Sequence, residues 1–375
     1  MSFAIIKCLL RFQYAPLFNQ LRSMNTAISY FRESMAAKHY ATSILLLIGI
    51  VLVTSCSEEK KNHVFKTSDE ALTEYRSYLS ELKSRKGASI KELTTSIKQW
   101  REIDDSVFSF VSKDTIRKAH VYPTSEYKVI HDSIRSEFIR LTSASKRTYK
   151  DIVSLKISVS AFADDKKVQE ATTAAHSFFS SLDTMSLYKG GKDKMIRSYK
   201  EFLDKTQING IHSKKQFLSY LQVEDILFRS FLCNLSDMNN VSVTDITCST
   251  ENICSQVMHS AGSDVLSTED AVIFMSLRSN RRLLQNAITC TEDIRTNKIR
   301  QDEQRTAYFW MILQPFISID DFGMAILSSE QQKQFEKLAA DVPSVISKLS
   351  QSLKMNAEVT DNLPNLFLKM YISKL

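Results

Sequence analysis

Glycine and proline are scarce in this sequence: seven and five among 375 residues. Sheet proteins spend Gly, Asn-Gly and Pro on their turns. So small a supply argues against a sandwich or barrel and favours helices before any periodicity is read. Catalytic signatures are missing as well. No G-x-x-x-x-G-K-[ST] surrounds Gly190-Gly191, which removes a local phosphate loop. There is no H-E-x-x-H, and no two of His63, His120, His131, His176, His212 and His259 share a helix turn, so a helix-borne zinc site is not expected. No G-x-S-x-G elbow is present. Asp321-Phe322-Gly323 copies the metal-binding tripeptide of kinases, but the Gly-rich loop and H-R-D segment that must accompany it are absent. It reads as a helix terminus. The adjacent acids Asp104-Asp105 and Asp164-Asp165 read as exposed or capping carboxylates. No catalytic residue, cofactor or resident metal is expected.

A membrane-spanning run is also lacking. The longest apolar stretch, Ile44 to Val53, has ten residues, where a spanning helix needs roughly 20. That length suits the apolar region of a secretory signal. Two small residues, Thr54 and Ser55, follow, then Cys56. Val53-Thr54-Ser55-Cys56 resembles the lipobox of bacterial lipoproteins. The resemblance implies cleavage between Ser55 and Cys56, a diacylglycerol thioether on the Cys56 sulfur, and acylation of the new amino group. Membrane lipid is therefore the first expected partner. Residues 35–55 then form the leader, with Met35 the expected start (Met24 the alternative) and residues 1–34 an extension outside the mature protein. A short buried helix and an organellar transit peptide are the competing readings of the same run. After Cys56 the chain continues Ser57-Glu58-Glu59. A serine and acids in this position resemble the surface-export signal of Bacteroidetes lipoproteins, which implies an outer-membrane anchor and display at the cell surface. Residues 56–66 read as anchor and tether.

The net charge of +7 shrinks once this leader is set aside. Residues 1–55 hold five bases and one acid, so the chain's 49 bases and 42 acids become 44 and 41, a balance of +3. No basic stretch is interleaved with aromatics, so nucleic acid is not an expected partner.

Helical signals fill the rest. Thr67-Ser68-Asp69-Glu70 and Ser89 with Glu92 are capping patterns, followed by apolar residues at three- and four-residue spacing. From Tyr127 to Val159 this spacing continues without Gly or Pro. It predicts one helix over 124–160, about 55 Å long, with coiled-coil-like packing; Ser145 and Thr148 are the places where it would divide into two. Gly190-Gly191 marks the expected boundary between an N-terminal bundle, 67–189, and a C-terminal bundle, 192–375. No fixed repeat indicates a solenoid. The fold class is all-α, an elongated helical bundle.

Two features within the C-terminal part stand out. Glu224 falls in the apolar stripe Phe217, Leu221, Phe228, Phe231, Leu235. A carboxylate facing a core is costly unless paired, so it marks either a ligand pocket or a buried ion pair. Residues 239–266 are weakly periodic and read as a loop. They carry Cys248 and Cys254, with Cys233 before and Cys290 after. In an oxidising compartment, four cysteines suggest two disulfides. Cys233–Cys248 with Cys254–Cys290 is the preferred pairing, and metal ligation by Cys248, Cys254 and His259 is the alternative. The sequence thus points to an anchored helical ectodomain that binds or scaffolds an envelope protein partner. The alternatives are a ligand- or glycan-binding lipoprotein serving a transporter, and an enzyme with a dispersed site.

Overall fold

A computed structural model describes residues 65–115, 124–160, 166–206, 211–260, 265–299 and 302–375. Fourteen α-helices and one short 3-10 turn are found among them, with no strand. In chain order these are α1 (Ser68–Ser84), α2 (Ile90–Thr115), α3 (Ser125–Ser143), α4 (Tyr149–Val159), α5 (Lys166–Asp183), α6 (Lys192–Lys205) and α7 (Lys214–Cys233). There follow α8 (Asn240–Ser260), α9 (Thr268–Arg295), α10 (Asp302–Ser318), α11 (Asp321–Ala325), α12 (Ser329–Ser352), α13 (Ala357–Asp361) and α14 (Leu363–Ile372). No described helix is long and apolar enough to cross a membrane.

The capping signals act as expected. Thr67 accepts from the Glu70 amide, Ser89 and Glu92 exchange hydrogen bonds, and Ser267 accepts from the Asp270 amide. Each fills an amide left without an intrahelical partner. The central helix is α9, which packs on α5, α10, α11 and α12. Helix α4 lies against α2 and α12, α1 against α2 and α3, and α6 against α7 and α8; α14 covers α3, α4 and α10.

Three expectations are corrected. The segment 124–160 is two helices, because Thr148 starts a new one: its side chain accepts from the Asp151 amide while Asp151 accepts from the Thr148 amide. That reciprocal cap satisfies the first turn of α4 and outweighs continuation through polar Ser145. Next, 239–266 is not a loop. Residues 240–260 are helical, and Val243, Ile246, Thr250, Cys254 and Val257 are buried at helical spacing. Burial of this stripe overrides the weak helix propensity of its Thr and Ser residues. Finally, Gly190-Gly191 does not separate two cores. All described residues belong to one compact unit, Lys61–Leu375, and α5, before the glycines, packs on α9, after them. Gly190 has a local task instead. The Tyr188 ring lies over it, so close that a Cβ there would stand 2.2 Å from Cε1. The Tyr188 hydroxyl reaches Ser198 Oγ on α6 (3.0 Å), and its amide donates to Ser230 Oγ on α7 (2.9 Å).

Two prolines lie inside helices, Pro315 in α10 and Pro343 in α12. Pro315 sits in the last turns of α10, where it has no amide to bond the Met311 carbonyl one turn back.

Candidate functional site

Glu224 is fully buried on α7. It faces two arginines one turn apart on α9: Arg278 Nε donates to Oε2 (3.2 Å), and Arg282 Nη2 donates to the same oxygen. Tyr199 of α6 donates its hydroxyl to Oε1 (2.7 Å) and accepts from Thr250 Oγ1 of α8 (3.2 Å). Three helices therefore meet on one carboxylate, and α8 joins them through Tyr199. Burial pushes the Glu224 carboxyl up, but Arg278 and Arg282 pull it down further, to about 2. It stays ionised. The Arg282 guanidinium lies over the Phe228 ring, 4.1 Å from its centroid, a cation–π contact that helps to hold a desolvated charge. Its Nε and Nη1 are buried without hydrogen-bond partners.

The network widens at its edge. Asp225 accepts from Arg229 Nε (2.9 Å), and Arg281 donates to the half-exposed Asp183 (2.8 Å). Arg229 also reaches the Leu182 carbonyl at the end of α5 (2.6 Å), answering orphan acceptors there. Burial raises the Asp225 carboxyl against the pull of Arg282, Arg281 and Arg229. The candidate pocket at Glu224 is thus an occupied ion cluster that ties helices together.

An open, shallow concavity lies elsewhere, with a volume of about 530 Å³. Its walls are the α3–α4 turn (Ser143–Lys146) and α13–α14 (Glu358, Asp361, Asn362, Asn365). Asn365 clips the two walls together: Oδ1 accepts from the Arg147 amide (2.7 Å), and Nδ2 donates to the Ser145 carbonyl (2.9 Å). Lys146 and Asp361 pair across the opening at 3.3 Å, both well exposed. Exposed Val359 and Leu366 are on the same two helices as its far wall.

The other residues singled out by sequence pattern are distributed through the fold. Cys56, Ser55, His63, His120, Asp164 and Asp165 lie outside the described residues, as do the side chains of Cys248 and His259. None of Cys233, Cys254 and Cys290 is disulfide-bonded in this structure, so the expected bridges Cys233–Cys248 and Cys254–Cys290 are not seen in it. Cys254 Sγ lies 3.3 Å from the Tyr220 hydroxyl, and Cys290 is buried, its thiol pushed up by burial and by Asp293. No three His, Cys, Asp or Glu side chains form a metal-binding group among the described residues. Asp104 is not a free surface acid: Tyr75 and Tyr127 both donate to its Oδ1, the latter at 2.6 Å, and Trp100 Nε1 donates to Tyr75 (2.9 Å). Burial and Asp104 push both phenols well up. Asp321 starts α11 and pairs with Arg101 (3.1 Å), while Asp320 caps that helix. His176 Nε2 meets the Ile326 carbonyl at 2.8 Å.

Sequence reasoning missed Arg278, Arg282, Tyr199 and the fully buried Lys156. Arginines four apart on a long helix usually mean a solvated face. The available signal was their position beside Leu277 and Leu284 in the buried stripe of α9. No known protein family matches the chain, and neither a curated protein nor a solved structure shows significant similarity to it.

Proposed function

We propose that this protein is a lipoprotein anchored through Cys56, whose helical ectodomain binds or scaffolds a partner at the envelope and performs no catalysis. The observation that carries this reading is Val53-Thr54-Ser55-Cys56 after the ten-residue apolar run. A single thiol behind small residues is what thioether formation and cleavage at that point require. The tether, the ten residues 57–66 after Cys56, is polar and charged apart from Val64 and Phe65 and reaches at most about 35 Å when extended. That keeps the helical unit close to the membrane. The Ser57-Glu58-Glu59 sequence supports the outer membrane as the site and the cell exterior as the side displayed. The interior charges described above support a structural role, since each is engaged in joining helices.

Envelope fractions of cells expressing the wild type should incorporate labelled palmitate, and Cys56→Ala should abolish the label and leave the chain uncleaved or soluble. Equal labelling of both would defeat the anchor. The groove between the α3–α4 turn and α13–α14 favours a second reading, a binder of a small polar ligand. Isothermal titration with candidate sugars, compared between wild type and Asp361→Ala, separates that reading from the scaffold.

A further inference from the structure

Polar atoms buried in a folded chain are met by protein or by water. Three that no protein group meets stand one turn apart on α9: Arg282 Nε and Nη1, and Asn286 Oδ1. Arg282 is buried, and other contacts fix its place. Its Nη2 donates to Glu224 and its guanidinium lies on the Phe228 ring, both on α7. The two remaining donors therefore lie between α7 and α9. Asn286, four residues on, shares that face of α9.

The two helices meet here through side chains. Helix α9 packs closely on α5, α10, α11 and α12, whereas α7 is joined to it by the long reach of Arg278 and Arg282 to Glu224. A layer spanned by arginines is wider than one closed by apposed backbones. Asn286 is itself unexpected at its position. Asparagine is a poor helix former, yet this one is half-buried inside a helix of 28 residues, where leucine would pack better.

The donor and acceptor types decide what fits between them. Arg282 offers only protons, and Asn286 Oδ1 offers only lone pairs. A group that answers both must accept from one and donate to the other. A halide accepts but cannot donate. A metal cation would meet Oδ1 alone, beside two guanidinium charges. A carboxylate or phosphate grips a guanidinium through two parallel bonds, but Nε–H and the Nη1 hydrogens point away from each other, so no such anion spans them. Water accepts, donates and adds no charge to the interior. We infer that the layer between α7 and α9 is an internal hydration site, in which water accepts from Arg282 and donates to Asn286 Oδ1. The site satisfies the guanidinium without a second carboxylate, and it gives the asparagine in α9 a task. It is independent of the anchor at Cys56.

A crystal structure of the full chain, at a resolution that shows ordered solvent, should place water about 3 Å from Arg282 Nε or Nη1, with the same water or one bonded to it at Asn286 Oδ1. In solution, the Nε–H signal of Arg282 in protein with nitrogen-labelled arginine should show magnetisation transfer from water. Arg282→Lys, which keeps a cation for Glu224, identifies that signal by its loss. Asn286→Leu, which removes the acceptor and fills the layer, should abolish the transfer while the signal itself remains. Donors found bonded directly to a protein acceptor, an anomalous peak beside Arg282 in a bromide-soaked crystal, or transfer of equal strength in Asn286→Leu and wild type would overturn the site. The wild-type crystal decides the matter even if neither variant folds.

Discussion

Glu224 and Lys156 are two fully buried charges held in opposite ways. Glu224 is met by two guanidinium groups and a phenol drawn from other helices, so its charged state is stabilised and three helices meet on it. Lys156 is met by backbone carbonyls and a ring, and burial lowers its ammonium to about 7. The first arrangement locks the interior in one protonation state; the second leaves it responsive to pH. The difference lies in the partners, since burial is complete in both.

The sharpest way to break this contrast is to remove the Glu224 side chain. Glu224→Ala leaves Arg278 and Arg282 charged in the core and should cost about 3–5 kcal/mol, read from the urea unfolding midpoint. A cost below ~1 kcal/mol would mean that water or relaxation answers the arginines. Acid comes next. The folded Glu224 carboxyl lies at about 2 against 4.5 unfolded, so its contribution is complete above pH 4.5 and is lost as pH falls toward 2. The expected loss is ~3 kcal/mol, and an unfolding series from pH 5 to pH 2 on the wild type and Glu224→Gln should show this component only in the former.

Lys156→Met should act in the opposite direction. At pH 6 it removes the cost of burying an ammonium and leaves two carbonyls unanswered, for a net gain on the order of 2 kcal/mol. The gain should shrink as pH rises from 7 to 10, because the wild type then folds with a neutral amine while its unfolded chain is still charged. A gain independent of pH would place the charge outside the core. Tyr199→Phe removes one donor to Glu224 and strands the Thr250 hydroxyl, with an expected cost of about 1 kcal/mol. The smallest effect concerns the thiols beside this network. With Cys254 against Tyr220 and no disulfide at Cys233, Cys254 or Cys290, dithiothreitol should leave the melting temperature unchanged. Iodoacetamide, with its sites read by peptide mapping, should label exposed Cys233 ahead of buried Cys254 and Cys290.

Much of the helical order was readable because capping is local. Thr67, Ser89 and Ser267 each act on an amide three residues away, and such signals survive in the sequence alone. Glu224 announced its burial because it interrupted an apolar stripe. Its partners did not, since Arg278 and Arg282 are 54 and 58 residues distant and nothing local distinguishes a buried arginine from a solvated one. Helix α8 was missed because Thr250 and Cys254 occupy core positions that an apolar count does not credit. The break at Thr148 was visible as a polar residue, but its reciprocal bond with Asp151 decided the outcome. The proposed anchor, conversely, rests on the sequence alone.

The Tyr188 ring over Gly190 has a mechanical consequence. Chains that carry two modules on a glycine joint behave under load as beads on a string, each yielding by itself. Here the joint is pinned to α6 and α7 and overlain by an aromatic ring, while the helices on either side of it share one core. Tension entering through an N-terminal tether would be passed across the glycines and borne by the whole unit, which would hold or yield as one body.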